Sequence, residues 1–436
     1  MSGSSWGIVG GGMLGMTLAH RLAQQGKRVT LLEAAPQLGG LASAWALGDV
    51  IWDRHYHVTL MSDAFLRRIL AELGLDEEIE WVETRTGVFA GGRLFSVSNT
   101  LELLRFPVLG WLDVARLGAT VLYASRLRDG RRLEKVPVVE WLERWSGRRT
   151  TERFWLPLLR SKLGDTYRDT SAAFIWATLQ RLYAARRSGM KKEMFGYVPG
   201  GYARVLERFH EQLEQEGVEI RLGCRVARVE PSGRSVKVEL AGGGVASFDH
   251  AVVTAAAPLA ARLCGGLTPE EAARLGGVRY LGIVCASVLL ARPLAGFYVT
   301  NLLDPGLPFT GVIEMSALVR REQFGGHALV YLPRYLEPDD PFFEVPDGEV
   351  ETLFLDGLAR VYPEFRRDDV QAFRVSRVRQ VMALPTLGYS DRMPPVDAAA
   401  PGLHWVSSAH IANGTLNVNE TVQLAESAAR RFAEIA

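Results

Sequence analysis

The chain opens on short apolar runs alternating with apolar residues at helical spacing. Trp6-Gly7-Ile8-Val9 is an apolar run of buried-strand length, residues 16–25 repeat apolar positions with a helical period, and residues 28–32 form a second apolar run. Strand, helix and strand in this order predict the start of a parallel α/β sheet. Ser62-Asp63 ahead of an apolar-periodic stretch and Gly74 behind it predict a capped helix over 64–73. Val88-Phe89 and Leu94-Phe95 flank Gly91-Gly92 as a hairpin. Residues 101–127 are strongly apolar and aromatic, with Pro107 and Gly110 interrupting them. Further helices are predicted over 138–145, 171–187, 203–216 and 345–363, and another opens at Thr268-Pro269, with Thr as N-cap and Pro at the first helical position. Strands are predicted at 218–222, 223–230, 236–240, 248–255, 284–290, 296–299, 310–315, 327–331, 372–378 and 403–409. A last helix follows over 419–426.

Between the first run and the first helix lies Gly10-Gly11-Gly12-Met13-Leu14-Gly15, and Glu33 closes the second strand. This is Gly-x-Gly-x-x-Gly with a strand before it, a helix after it and an acid about 20 residues on, the setting in which the pattern marks a dinucleotide site. Gly10 permits the tight turn, Gly12 lets a pyrophosphate approach the backbone, and Gly15 lets helix and strand pack closely. The N–H groups opening the helix, around Met13 and Leu14, favour phosphate. Glu33 would accept hydrogen bonds from a ribose.

After Glu33 come Ala34-Ala35-Pro36-Gln37-Leu38 and Gly39-Gly40-Leu41-Ala42-Ser43. With this extension the chain resembles the flavin-containing amine oxidase superfamily, which includes protoporphyrinogen oxidases, phytoene-type desaturases and, more distantly, UDP-galactopyranose mutases. The resemblance implies FAD, with Ala34, Gly39, Gly40, Leu41 and Ala42 among its contacts. It extends over residues 196–255, where it implies a backbone contact from Val226 to adenine and places Ala255 near the cofactor. The strand, loop and helix that end the chain resemble the family's last cofactor element, implying contacts from Asn419, Thr421 and Val422 at the pyrimidine end of the flavin. Here Ser407-Ser408-Ala409 replaces the usual Gly-Asp. The implied fold class is α/β: a Rossmann-like, glutathione-reductase-like FAD-binding domain from residues 1–75, 196–270 and 396–436, interleaved with a helical and mixed-sheet substrate domain from 76–195 and 271–395.

The same resemblance marks Tyr56 and His57 as candidates beside the flavin ring. Two departures accompany it: Arg54 stands where many relatives have Gly, and the local order is His55-Tyr56-His57 rather than Tyr-His-His. Arg160 and Lys162, cations in an apolar stretch, are candidates for holding an anionic substrate group. Some amine oxidases carry a late Lys that holds a water at the flavin; this chain has no Lys after Lys237.

Composition narrows the picture further. The chain has 436 residues, 48% of them hydrophobic, and a net charge of +1, so it has material for a large core and no bias toward nucleic acid. Its three cysteines, Cys224, Cys264 and Cys285, show no metal-ligand spacing, so no metal is expected and the thiols read as reduced. No run reaches the roughly 18 to 20 apolar residues of a membrane span. The N-terminus lacks the basic region of a signal peptide, which points to a cytoplasmic protein. Residues 101–127 end at Arg126, Arg128, Arg131 and Arg132, which keeps peripheral contact with an anionic membrane open.

The leading expectation is an FAD-dependent oxidoreductase that moves a hydride to flavin N5 from a bulky, partly apolar substrate, whether amine, isoprenoid, lipid-linked or polycyclic. One alternative is a non-redox flavoenzyme like the galactopyranose mutases, acting on a nucleotide- or lipid-linked sugar. The other is a non-catalytic FAD-binding partner protein. No residue pattern selects the substrate, the electron acceptor or an oligomeric state.

Overall fold

The computed structural model describes residues 3–186 and 194–435. The helix expected over 171–187 is Ala172–Arg186, and its last expected position lies outside the described residues.

A five-stranded parallel sheet forms from chain segments far apart in sequence, in the order Glu219–Arg221, Arg28–Leu32, Ser5–Val9, His250–Val253, Leu403–Trp405. Parallel sheets are covered on both faces, so their strands read as continuous apolar runs. Trp6 and Ile8 are fully buried on one face, against the helices Met13–Gln24 and Val418–Ala433. Val9, Leu32 and Val253 face the other side, toward an antiparallel sheet of Val226–Ser232, Ser235–Leu240 and Val245–Phe248. Gly7 is needed there: a Cβ on it would fall 2.4 Å from the Phe248 ring.

A second, seven-stranded sheet runs in the order Val370–Ala383, Tyr280–Leu290, Ala328–Leu336, Gly311–Glu314, Val299–Leu302, Thr86–Ala90, Arg93–Ser96. Only Val299–Leu302 with Thr86–Ala90 is parallel. Tyr280–Leu290 is buried along its whole length because alternate residues serve two cores. Val284, Ala286, Val288 and Leu290 pack toward the helix Asp347–Val361, while Ile283, Cys285 and Leu289 pack toward Trp52 and Tyr331. A helical block, Thr100–Leu104, Trp111–Arg126, Val138–Ser146, Leu156–Leu163 and Ala172–Arg186, has its own apolar core.

Several boundaries differ from the expectations, each for a local reason. The strand expected at 296–299 is Val299–Leu302, because Gly296 turns the chain at φ +69°. The strand expected at 327–331 runs on to Leu336 through Pro333, which needs no donor there and whose carbonyl accepts from Thr310 N at 2.7 Å. The strand expected over 403–409 stops at Trp405, since Ser407 N-caps a short turn, Ser408–His410.

The last helix begins at Val418, with Asn417 as N-cap accepting from Glu420 N at 3.0 Å. Asn419, one residue further in, caps a different helix. Its Oδ1 accepts from Phe65 N at 3.0 Å and Leu66 N at 3.1 Å, in the first turn of Ala64–Glu72. Asp63, at that helix's own N-cap position, instead accepts from Leu60 N at 2.9 Å and pairs with Arg181 at 3.2 Å. Asn419→Ala would therefore leave two N–H groups without their acceptor. A loss of about 1–2 kcal/mol is expected, read as a lower urea midpoint with an unchanged slope. A midpoint equal to that of the parent would show that this cap contributes nothing.

Candidate active site

Two glycine turns meet backbone to backbone at the C-terminal edge of the parallel sheet. Gly10 takes φ +112° and donates to Leu32 O at 2.8 Å. A Cβ at Gly15 would lie 1.9 Å from Gly10 O, so helix and turn touch without side chains. Gly39 N donates to Gly11 O at 2.8 Å, and Gly12 bridges Gly39. Gly40 adopts φ +56° and would place a Cβ 3.1 Å from Gly12 Cα. A Cβ on Gly12 itself would meet only Gly40 Cα, at 3.9 Å, so the space in front of its backbone is open. This is a cradle that side chains would fill, and it fits the pyrophosphate of a dinucleotide. Glu33 accepts from Gly11 N at 2.6 Å and Ala35 N at 2.7 Å, one bond to each oxygen. Each oxygen retains a lone pair that can take a ribose hydroxyl.

The cradle opens into a cavity of about 600 Å³. Of the candidates named from sequence, Gly10, Gly12, Met13, Leu14, Gly39, Gly40, Leu41, Ala42, Tyr56, His57, Lys162, Ala255 and Thr421 line it. The remaining candidates lie elsewhere. Gly15 and Glu33 support the turns from behind. Ala34 is exposed just past the second strand, and Val226 starts the antiparallel sheet. Asn419 caps the neighbouring helix, and Val422 is fully buried in the helix-side core. Arg160 is exposed, its guanidinium 5.7 Å from the Tyr167 ring centre. It shares the helix Leu156–Leu163 with Lys162, and positions two apart point about 200° around a helix, so one helix cannot aim both inward.

The chemistry of the cavity lies in a few side chains. Tyr56 Oη and Tyr335 Oη share a hydrogen bond of 2.9 Å, and Lys162 Nζ sits 3.5 Å from the Tyr335 ring centre. Burial drives the Tyr56 phenol well above its ordinary pKa, so it stays a neutral O–H. His55 Nδ1 donates to Leu41 O at 3.1 Å, since a carbonyl can only accept. Its Nε2 therefore accepts from Ser376 Oγ at 3.1 Å, and Ser376 Oγ in turn accepts from Arg54 Nε at 2.8 Å. Burial lowers the His55 pKa to about 3, so the ring is a neutral strut under the second glycine turn. Arg181 also lines the cavity, paired with Asp63 at its rim. No Asp or Glu is among the described residues that line it.

Several lining residues were not singled out from sequence: His55, Arg181, Tyr298, Tyr335, Gln380, Ser407, Ser408 and Asn417. Asn417 carried a usable signal, because Asn417-Val418-Asn419-Glu420 has the N-cap spacing of a helix start. Tyr335 and Gln380 lie on strand segments beyond the apolar runs that marked those strands. Arg181 lies on the helix Ala172–Arg186, which the sequence marked only as a helix. Ser407 and Ser408, in place of Gly-Asp, put hydroxyl groups on the cavity wall.

Comparison with known proteins identifies the family. Coproporphyrinogen III oxidase of Mycobacterium bovis is 25% identical over 426 residues, covering 92% of this chain and 91% of that one. The 15-cis-phytoene desaturase of Capsicum annuum is 22% identical over 242 residues, 51% of this chain but only 41% of the relative's length. Wild-type putrescine oxidase bound to putrescine superposes with a TM-score of 0.76 at 16% identity, covering 98% of both chains, which shows a shared fold. The family model for flavin containing amine oxidoreductase matches residues 14–432. The chain belongs to that family and takes FAD as its cofactor.

Proposed function

We propose that this protein oxidises a bulky, largely apolar substrate carrying an anionic group, and that a cationic amine is a poor substrate. One observation carries the reading: the cavity is lined by Lys162 and Arg181, with no carboxylate among its described lining residues. Lys162 rests on the face of Tyr335 rather than on an acid, and Arg181 is balanced by Asp63. An ammonium group entering this space would meet like charge; a carboxylate would gain a charge-assisted partner in Lys162. Ile283, Val299, Ile313 and Val381 supply apolar wall for the rest of the substrate. Bound FAD supplies the electron acceptance that dehydrogenation requires. The glycine turns hold its phosphates, Glu33 takes a ribose hydroxyl, and Tyr56 with Tyr335 keeps the wall above Lys162 fixed.

Among the substrates named in its relatives, a carboxylate-bearing porphyrinogen matches this lining better than an uncharged carotenoid, and much better than putrescine, a dication. Flavin reduction assayed anaerobically with one substrate of each type is expected to follow that order. Lys162→Met should raise KM for the anionic substrate about 10- to 100-fold with kcat little changed, the size of one lost charged hydrogen bond. Preferred turnover of the diamine, or an unchanged KM, would overturn the reading. Turnover only after prior flavin reduction, with no net electron transfer, would favour the non-redox sugar alternative instead.

The cradle gives a second test. Gly12 has φ −74° and ψ 177°, which any residue adopts. Gly12→Ala is therefore expected to fold normally yet lose FAD affinity at least about tenfold, because its methyl group occupies the phosphate's approach. Equal FAD absorbance per protein after dialysis would count against it.

We also propose that the helices Thr100–Leu104 and Trp111–Arg126 rest on an anionic lipid surface. Trp111 (73%), Leu101 (57%), Leu112 (55%), Leu104 (49%) and Leu122 (41%) are exposed on them. The second helix buries Val114, Leu117 and Ala124 on its other side, so it is apolar nearly all round. Its neighbours Arg105, Arg116, Arg126, Arg128, Arg131 and Arg132 are exposed. The two acids of these helices are turned away, Glu102 to Ser98 N at 2.9 Å and Asp113 to Gly110 N at 2.9 Å. Apolar face plus cationic rim is the pattern of an interfacial helix, and no helix of the described residues is long and apolar enough to cross a membrane. The protein should float with phosphatidylglycerol vesicles and not with phosphatidylcholine vesicles, and Trp111→Ser with Leu112→Ser should abolish flotation. Equal flotation of parent and variant, or none for the parent, would exclude this surface.

A further inference from the structure

Next to the large cavity, sharing His57 and Val58 with it, lies a small one of about 20 Å³. Trp52, Asp53 and His57 line it, and His57 lines both cavities. The strand Val50–Asp53 brings Trp52 and Asp53 there, and His57 follows four residues later in the chain. Asp53 is 3% exposed, and its Oδ1 accepts from Tyr202 N at 2.7 Å. Its Oδ2 stands 3.7 Å from His57 Nδ1, too far for a direct hydrogen bond. Two polar atoms in this lining, His57 Nδ1 and Trp52 Nε1, are buried without a partner among protein atoms. Such groups cost about 1–3 kcal/mol each when left unmatched.

A single water resolves all three demands. A buried water needs roughly 10–15 Å³ and two to four polar partners, and this cavity supplies both. Water there accepts from Trp52 Nε1, which can only donate, and gives a proton to Asp53 Oδ2, which can only accept when ionised. The remaining contact is to His57 Nδ1. The carboxylate at 3.7 Å favours hydrogen on that nitrogen, because it places a positive dipole end beside a negative charge. Nε2 is then the unprotonated nitrogen, left to the side of His57 that faces the large cavity.

We propose that this small cavity is an internal water site, and that Asp53 acts through it as a positioning residue. It fixes His57 as the Nδ1–H tautomer, with the Nε2 lone pair aimed at the substrate space. The second half of the proposal rests on the oxidative reading of the site. Oxidation of a substrate breaks a C–H bond whose hydrogen leaves with the electron pair to the FAD oxidant, and the neighbouring atom loses a proton. That proton goes to His57 Nε2, and the resulting imidazolium faces the Asp53 carboxylate across the water. The buried charge is thereby paired at the moment it forms.

The tautomer is tested without any substrate, so its failure would leave the oxidative reading standing. In holoprotein labelled with ¹⁵N-histidine, the His57 ring signals are assigned by their loss in His57→Gln. A protonated Nδ1 and an unprotonated Nε2 are expected. Asp53→Asn keeps an oxygen for Tyr202 N and should fold, shown by unchanged FAD absorbance; its His57 should shift to a tautomer mixture. In turnover it should lose at least about tenfold in kcat, with KM held. Trp52→Phe removes only the indole donor, and serves if Asp53→Asn fails to fold: its water should lose order in a crystal structure where the parent shows an oxygen within about 3 Å of all three atoms. An Nε2–H tautomer in the parent, an identical tautomer in Asp53→Asn, or no density for that oxygen would overturn the proposal.

Discussion

The structure depends on two stretches of bare backbone coming within touching distance. Gly39 N bonds Gly11 O at 2.8 Å, and Gly40 lies against Gly12. A side chain at Gly40 would press on Gly12 at 3.1 Å. That contact requires the first strand, the first helix and the second strand to be in register. Glu33 reaches back to Gly11 N, and the next two ties, Cys224 N to Glu33 O at 2.7 Å and Gly223 N to Ala35 O at 2.9 Å, draw the middle of the chain to the same edge. The C-terminal helix closes the assembly, with Asn417 at the cavity and Asn419 on the helix beside it. A cofactor cradle built from three distant parts of the chain thus has one geometric origin.

This origin explains what was legible in the sequence. A backbone cradle needs Gly at fixed offsets, and Gly10, Gly12, Gly15, Gly39 and Gly40 are visible as letters. Strands buried on both faces need continuous apolar runs, and residues 6–9 and 28–32 of the parallel sheet and 284–290 of the mainly antiparallel one show them. Fold class and a dinucleotide site followed from these two constraints, and FAD from the family resemblance. The cavity wall facing the cofactor was much less legible. Tyr335 and Gln380 sit on strands that cross the cavity at positions set by pairing register, and a single strand carries no letter for register. Arg160 and Lys162 looked equivalent in sequence, and only the phase of their helix separates them. Asn417 and Asn419 differ in the same way, by two residues at a helix start.

The polar network under the cavity has a consistent direction. Arg54 donates to Ser376, Ser376 to His55, and His55 to the carbonyl of Leu41, so a half-buried cation polarises a chain that ends on the second glycine turn. Arg54 is one of the positions at which this chain departs from many relatives. A glycine there would leave Ser376 Oγ without the Arg54 donor, while Ser376 could still donate to His55 Nε2. The departure is therefore compatible with a retained cofactor site: it changes how the turn is braced, not the backbone that forms it.

His55 and His57 show how two similar side chains, two residues apart, are given different work by their surroundings. His55 has a hydrogen-bond partner on each ring nitrogen and a pKa lowered to about 3, so it neither gains nor gives a proton in the ordinary range. His57 has a carboxylate on one side and open cavity on the other. The irregular segment between the strands Val50–Asp53 and Thr59–Leu60 allows this, and the residue between the two histidines, Tyr56, is bonded to Tyr335. One histidine braces the second glycine turn, and the other faces the cavity. The sequence order His-Tyr-His matters because each of its three members meets a different wall of the same cavity.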